Sequence, residues 1–159
     1  MTRIKLMIYA ALLCGLCTAC GSDEPVKKQE EKVFLESLTA DWRISSAKLG
    51  SIDRTGEFLN DDFTLTIKGQ YDADHPKGPH VYEVKGRLPY LSPWNRMGGV
   101  WSFGSPSSSQ IIRDDGVEIK YVVTGDKLTL DFYCSSCGTT NGRTRSVDGE
   151  WSFIFSRVK

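Results

Sequence analysis

The sequence predicts an all-β domain, an eight-stranded antiparallel meander closed into a barrel, with a two-sheet β-sandwich as the alternative. Three observations carry this expectation. From Asp41 onward apolar and polar residues alternate with a period of two, the signature of a strand with one buried face. Asp114-Asp115-Gly116, Gly125-Asp126 and Asp148-Gly149 supply residues that accept the positive φ of tight hairpins. No segment between the alternating runs is long enough for the helical crossover that parallel strands require.

The strands are expected at residues 42–47, 63–68, 81–86, 100–103, 110–113, 118–124, 127–133 and 150–157. Phe63, Leu65 and Ile67 share one face, with Thr64, Thr66 and Lys68 on the other. Leu128, Leu130 and Phe132 alternate with Thr129, Asp131 and Tyr133; Trp151, Phe153 and Phe155 alternate with Ser152, Ile154 and Ser156. Trp101 and Phe103 are expected to face inward together. A meander of this length must hide its edge strands, and closure into a ring removes them altogether. Eight strands enclose room for side chains or for one small ligand. Before the first strand, Phe34, Leu35 and Leu38 at helical spacing predict a turn or two of helix against the end of the core.

Composition bounds the function. The 159 residues are 40% hydrophobic and 25% charged, enough apolar material for one core. Lys plus Arg and Asp plus Glu are 20 each, which gives none of the clustered basic surface that nucleic-acid binding needs.

The N-terminus reads as an address. Arg3 and Lys5 precede an apolar run of residues 6–16, too short to cross a hydrocarbon core of about 30 Å. Thr18-Ala19-Cys20 then resembles the lipobox of bacterial lipoproteins, which implies a signal peptide over residues 1–19 and lipidation of Cys20. The alternative is a soluble secretory signal cut after Ala19. Gly21-Ser22-Asp23-Glu24 resembles the surface-export signal of Bacteroidota lipoproteins. Residues 20–33, charged and poor in apolar side chains, read as a solvated tether, and residues 34–159 as the folded domain. The expected location is the outer membrane, lipid-anchored and facing outward, with the membrane as one partner and envelope protein partners unspecified.

Several segments resemble the small lipocalin-like lipoprotein domains of Bacteroidota, a group classed as of unknown function. Leu38-Thr39-Ala40-Asp41-Trp42-Arg43-Ile44 is similar to their opening strand, with Ala40 where they carry Gly. The stretch Ser92-Pro93-Trp94-Asn95-Arg96-Met97-Gly98-Gly99-Val100-Trp101-Ser102-Phe103 is similar to their Trp-loop-Gly-x-Trp-x-Phe segment, and Gly149-Glu150-Trp151-Ser152-Phe153-Ile154-Phe155 to their last strand. The resemblance covers residues 38–157 and implies a lipocalin-like barrel in which Arg157 covers the ring of Trp42. It brings no catalytic residues.

The residues themselves give no argument for catalysis. His75 and His80 are the only histidines, and no nucleophile elbow, metalloprotease helix or phosphate-binding glycine loop is present. The carboxylates of Asp61-Asp62, Asp72/Asp74 and Asp114-Asp115 lie at turn signals, where capping explains them. Cys134 and Cys137 are expected to form a disulfide in an oxidising compartment; free thiols are one alternative, and zinc or redox chemistry with His75 and His80 another. No cofactor or metal is expected.

The loop Tyr90-Leu91-Ser92-Pro93-Trp94-Asn95-Arg96-Met97 is the candidate binding site. Trp94 and Tyr90 offer aromatic faces, while Asn95 and Arg96 offer polar contacts to a small apolar molecule or a glycan fragment. The competing reading turns Trp94 inward as a plug. The function expected is thus a non-enzymatic binding module. Alternatives are an accessory envelope component with a filled barrel, and a small hydrolase using a carboxylate pair.

Overall fold

A computed structural model of the chain describes residues 24–89, 92–94, 96–135 and 147–159, with side chains from Glu30 onward. Among the described residues the order is α1 (Glu24–Leu38), β1 (Ala40–Leu49), β2 (Ile52–Asp53), α2 (Thr55–Asn60), β3 (Thr64–Lys68), β4 (His80–Lys85), β5 (Gly98–Phe103), β6 (Gln110–Arg113), β7 (Glu118–Thr124), β8 (Lys127–Cys134) and β9 (Gly149–Arg157). β1 pairs antiparallel with β3, each strand from β3 to β8 pairs antiparallel with the next, and β9 returns to pair with β1. The ring therefore closes with eight strands, and the short β2 adds a flap on β1. The eight strands expected from alternation are all present, and the sandwich alternative is excluded by the β1–β9 ladder.

The pleat fixes what fills the ring. Phe63, Leu65, Ile67, Leu128, Leu130, Trp151, Phe153 and Phe155 are buried in one continuous core. Phe153 and Phe155 stack with centroids 6.0 Å apart, as inward residues two apart on one strand do. Turn glycines behave as expected at the tightest hairpin, where Gly125 takes φ +58° between β7 and β8. Closure on β1 is helped by an irregularity between Ile44 and Ser46, a bulge that bends the strand.

The lower end, where β1 begins and β9 finishes, is covered by α1. Leu35 and Leu38 are buried in the core, and Glu31 accepts a 2.8 Å hydrogen bond from Ser107 in the β5–β6 connection. A side chain at Gly69, in the β3–β4 connection, would collide with Leu35. At about 1.5 Å per residue the helix is long enough to reach across the mouth of such a barrel. The stretch read as a solvated tether is thus helical from Glu24. Its Glu, Lys and Gln residues are good helix formers, and Pro25 suits the first turn.

The last turn of α1 leaves carbonyls that need donors, and the barrel supplies them. Trp42 Nε1 donates to the Leu38 carbonyl at 2.7 Å, and Arg157 Nη2 donates to the Ser37 carbonyl at 2.7 Å. The Arg157 guanidinium lies 4.5 Å from the Trp42 ring centroid, as the resemblance implied.

At the upper end the chain crosses from β1 to β3 through β2 and α2. Phe58 of α2 is fully buried, 5.2 Å from Phe63 and 5.1 Å from Phe153 in edge contacts. Neither α2 nor β2 was expected. Six residues that include Gly56 and a single buried side chain carry no periodic signal.

Candidate functional site

The connection between β4 and β5 enters the upper end rather than standing over it. It leaves β4 at Gly86, whose φ of +87° and approach to the Asp61 and Asp62 carbonyls leave no space for a side chain. Pro93 and Ser92 are buried, and the Ser92 hydroxyl accepts a 3.0 Å hydrogen bond from the Trp94 backbone N–H, holding the turn that aims the indole inward. Trp94 is only 3% exposed. Its ring meets Tyr82 at 5.7 Å, Phe63 and Phe132 at 6.1 Å, and Phe153 at 6.2 Å.

Arg113 locks this plug. Its Cζ lies 5.0 Å from the Trp94 ring centroid, and its Nη2 donates to the Pro93 carbonyl at 3.2 Å. The guanidinium also donates to Asp115 through both Nε, at 2.8 Å, and Nη2. Burial pushes the Asp115 carboxyl up, but the Arg113 hydrogen bonds and charge outweigh it, so its pKa lies below the ordinary value. Outside the plug, Arg96 pairs with Asp114 at 2.9 Å. The hairpin that the sequence reading assigned to turn capping thus holds both flanks of the loop.

Trp94 therefore presents no face at the mouth, which corrects the expectation of an aromatic platform. An indole beside Phe63, Phe132 and Phe153 exchanges water for apolar contact, whereas an exposed one would leave the upper end unfilled. Arg96 is at the surface and engaged with Asp114. Tyr90 and Asn95 lie outside the described residues, as do Cys20 and Cys137. Cys134 is buried at the end of β8 and is disulfide-bonded, with its partner outside the described residues.

The two histidines are separated. His75 is on the surface, 3.0 Å from an Asp72 carboxylate oxygen, while His80 is buried against Trp101 with ring centroids 4.7 Å apart. Among the described residues no cluster of three potential metal ligands occurs. Burial holds His80 below its ordinary pKa and pushes the phenols of Tyr82 and Tyr121 up.

No protein-family model matches this chain, and no curated protein matches it either. The site must be read from its own atoms.

His80, Trp101 and Arg113 were missed by the sequence reading as a group. The signal was present: period two from Val84 and Tyr82 back to His80, and from Ile111 to Arg113, puts both polar residues on the inner face. Chemically, these side chains offer hydrogen-bond donors and aromatic faces. The Asp115 carboxylate is already matched by Arg113, and His80 Nε2 has no hydrogen-bond partner among the described residues.

Proposed function

We propose that this chain is an outward-directed, lipid-anchored envelope protein of the outer membrane whose barrel, filled by its own side chains, serves as a non-catalytic accessory scaffold. One observation carries the reading: the indole of Trp94, packed on Phe63, Tyr82, Phe132 and Phe153, occupies the space in which an apolar cargo would lie. The anchor rests on Thr18-Ala19-Cys20, and outward orientation on the short Gly-Ser-Asp-Glu run after it. This reading assigns Cys137, three residues along, as the partner of Cys134, so the upper loop is stiffened covalently.

The test uses an apolar probe and one substitution. Wild-type protein should give no saturable change in tryptophan fluorescence with palmitate, and Trp94→Ala should cost about 3–5 kcal/mol of stability, the usual penalty for truncating a buried Trp. Saturable palmitate binding with a stable Trp94→Ala variant would return the function to a carrier of apolar ligands. For the anchor, Cys20→Ser should move the protein from the membrane fraction to the soluble one. Retention in the membrane fraction would refute lipidation at that residue.

The binding-module reading keeps one observation of its own, the unpartnered nitrogens on the inner wall of β4, β5 and β6.

A further inference from the structure

Five buried side-chain nitrogens lack a hydrogen-bond partner among the described residues. One, Arg54 Nε, faces a Glu57 carboxylate oxygen at 2.8 Å in an ion pair. The other four, His80 Nε2, Trp94 Nε1, Trp101 Nε1 and Arg113 Nη1, are neighbours. His80 is directly opposite Trp101 across β4 and β5, and Trp101 is directly opposite Arg113 across β5 and β6. Adjacent strands lie about 4.8 Å apart, so these three residues form one row on the inner wall. Trp94 completes the patch from the loop, under the Arg113 guanidinium. The other two indoles of the chain are satisfied, Trp42 by the Leu38 carbonyl and Trp151 by the Val147 carbonyl at 2.8 Å.

Buried donors are nearly always paired, because the alternative forfeits their hydration with nothing in return. Four unpaired nitrogens in one contiguous patch call for hydrogen-bond partners that the described residues do not supply. The charge balance then selects the guest. The positive charge of Arg113 is matched by Asp115 through Nε and Nη2, which leaves Nη1 as a donor without net charge behind it. His80 is buried, which disfavours its charged form. An anion entering here would bring an unmatched charge into a low-dielectric interior.

We infer that the row His80–Trp101–Arg113, with Trp94, binds a small uncharged molecule that presents a carbonyl or hydroxyl oxygen. The oxygen accepts from the Trp101 and Trp94 indoles and from Arg113 Nη1. The neutral imidazole of His80 takes an N–H or O–H of the same molecule, or donates to its oxygen. The flat faces of Trp101 and His80 suit a planar group such as a primary amide. This goes beyond the scaffold reading, which excludes apolar cargo from the interior and is tested with a different probe.

The experiment follows the four indole N–H resonances of ¹⁵N-labelled mature protein, with acetamide and acetate as probes of equal shape and different charge. Acetamide should shift the Trp94 and Trp101 resonances saturably and leave those of Trp42 and Trp151 in place, while acetate at the same concentration should not. Trp101→Phe, which keeps a ring and removes the donor, should weaken acetamide binding at least tenfold. The inference is overturned if acetamide produces no saturable shift, if acetate acts equally, or if the Trp94 and Trp101 protons keep their cross-relaxation to water through the whole titration, which would make water the only guest. The wild-type titration decides the matter even if the Phe variant fails to fold. Palmitate binding without an acetamide response would defeat both readings, whereas neither probe binding would defeat this one alone.

Discussion

At the lower end of the barrel Trp42 lies under Arg157, and at the upper end Trp94 lies under Arg113, with guanidinium-to-ring distances of 4.5 and 5.0 Å. Below, every polar atom of the pairing has an assignment. The Trp42 indole and two nitrogens of Arg157 donate to backbone carbonyls at the end of α1, and Arg157 remains 28% exposed. Above, the Trp94 indole and Arg113 Nη1 have no hydrogen-bond partner among the described residues, and the Arg113 side chain is 2% exposed. The same two residue types thus do different work. The lower pair finishes a helix and seals a mouth, and the upper pair fills a core while leaving donors free.

The largest effects should come from removing the rings. Trp42→Ala and Trp94→Ala should each lower the unfolding free energy by about 3–5 kcal/mol in urea titrations. Replacement by Phe separates the ends. Trp42→Phe strands the Leu38 carbonyl and should cost about 1 kcal/mol more than Trp94→Phe, which removes a nitrogen that was never paired. Equal costs for the two Phe variants would show that the two indole nitrogens do not differ in their pairing.

Reduction acts on the upper end only. With Cys137 as the proposed partner the closed loop is short, and breaking the disulfide at Cys134 should then cost about 2 kcal/mol, toward the low side for such bonds. Thermal melts with and without reductant measure it, and alkylation before reduction followed by mass analysis shows whether Cys137 is the partner. At the lower end, Arg157→Met should cost about 1–2 kcal/mol, since it removes a cation–π contact and donors that favourably cap the negative end of α1. Loss of α1 helicity by circular dichroism should accompany it.

The smallest effects are those of pH, and they also divide. Burial lowers the His80 pKa, so as pH falls below 6.5 the unfolded chain takes up a proton that the folded chain resists, and stability declines from there down to the folded-state value. His80→Phe should remove this limb. The Thr66 hydroxyl, followed by Lys85, holds Asp41 below its ordinary 3.8, so its contribution is complete above that pH and is lost only as pH falls through the lower folded value. Asp41→Asn should remove the second limb and spare the first.

Much of the ring could be read from the sequence because alternation and turn chemistry act over neighbouring residues. Strands β6 and β7 have the expected limits, and β1, β3, β4, β5, β8 and β9 differ by a residue or two at their ends, where ladder hydrogen bonds rather than side chains set the boundary. The helix over residues 24–32 escaped because its stability comes from contacts far along the chain, such as Glu31 with Ser107. The inward turn of Trp94 escaped for a similar reason: nothing local distinguishes a loop Trp that covers Phe153 from one that faces solvent. Arg113 was placed in β6, but that its guanidinium would reach Pro93 and Trp94 depends on contacts about twenty residues away, which no local pattern shows.

The β1–β9 ladder has a consequence for how the chain is made. Its pairs run from Trp42↔Arg157 to Leu49↔Trp151, and Arg157 bonds back to Thr39 across 118 positions. A ribosome delivers β1 before the other strands of the ring and β9 after them, so while β3 to β8 are made β1 offers a bare edge with its β9-facing backbone groups unpaired. The ring cannot close on any shorter product. A chain that stops before residue 149 keeps that edge open, and with it a template for joining other unfinished copies.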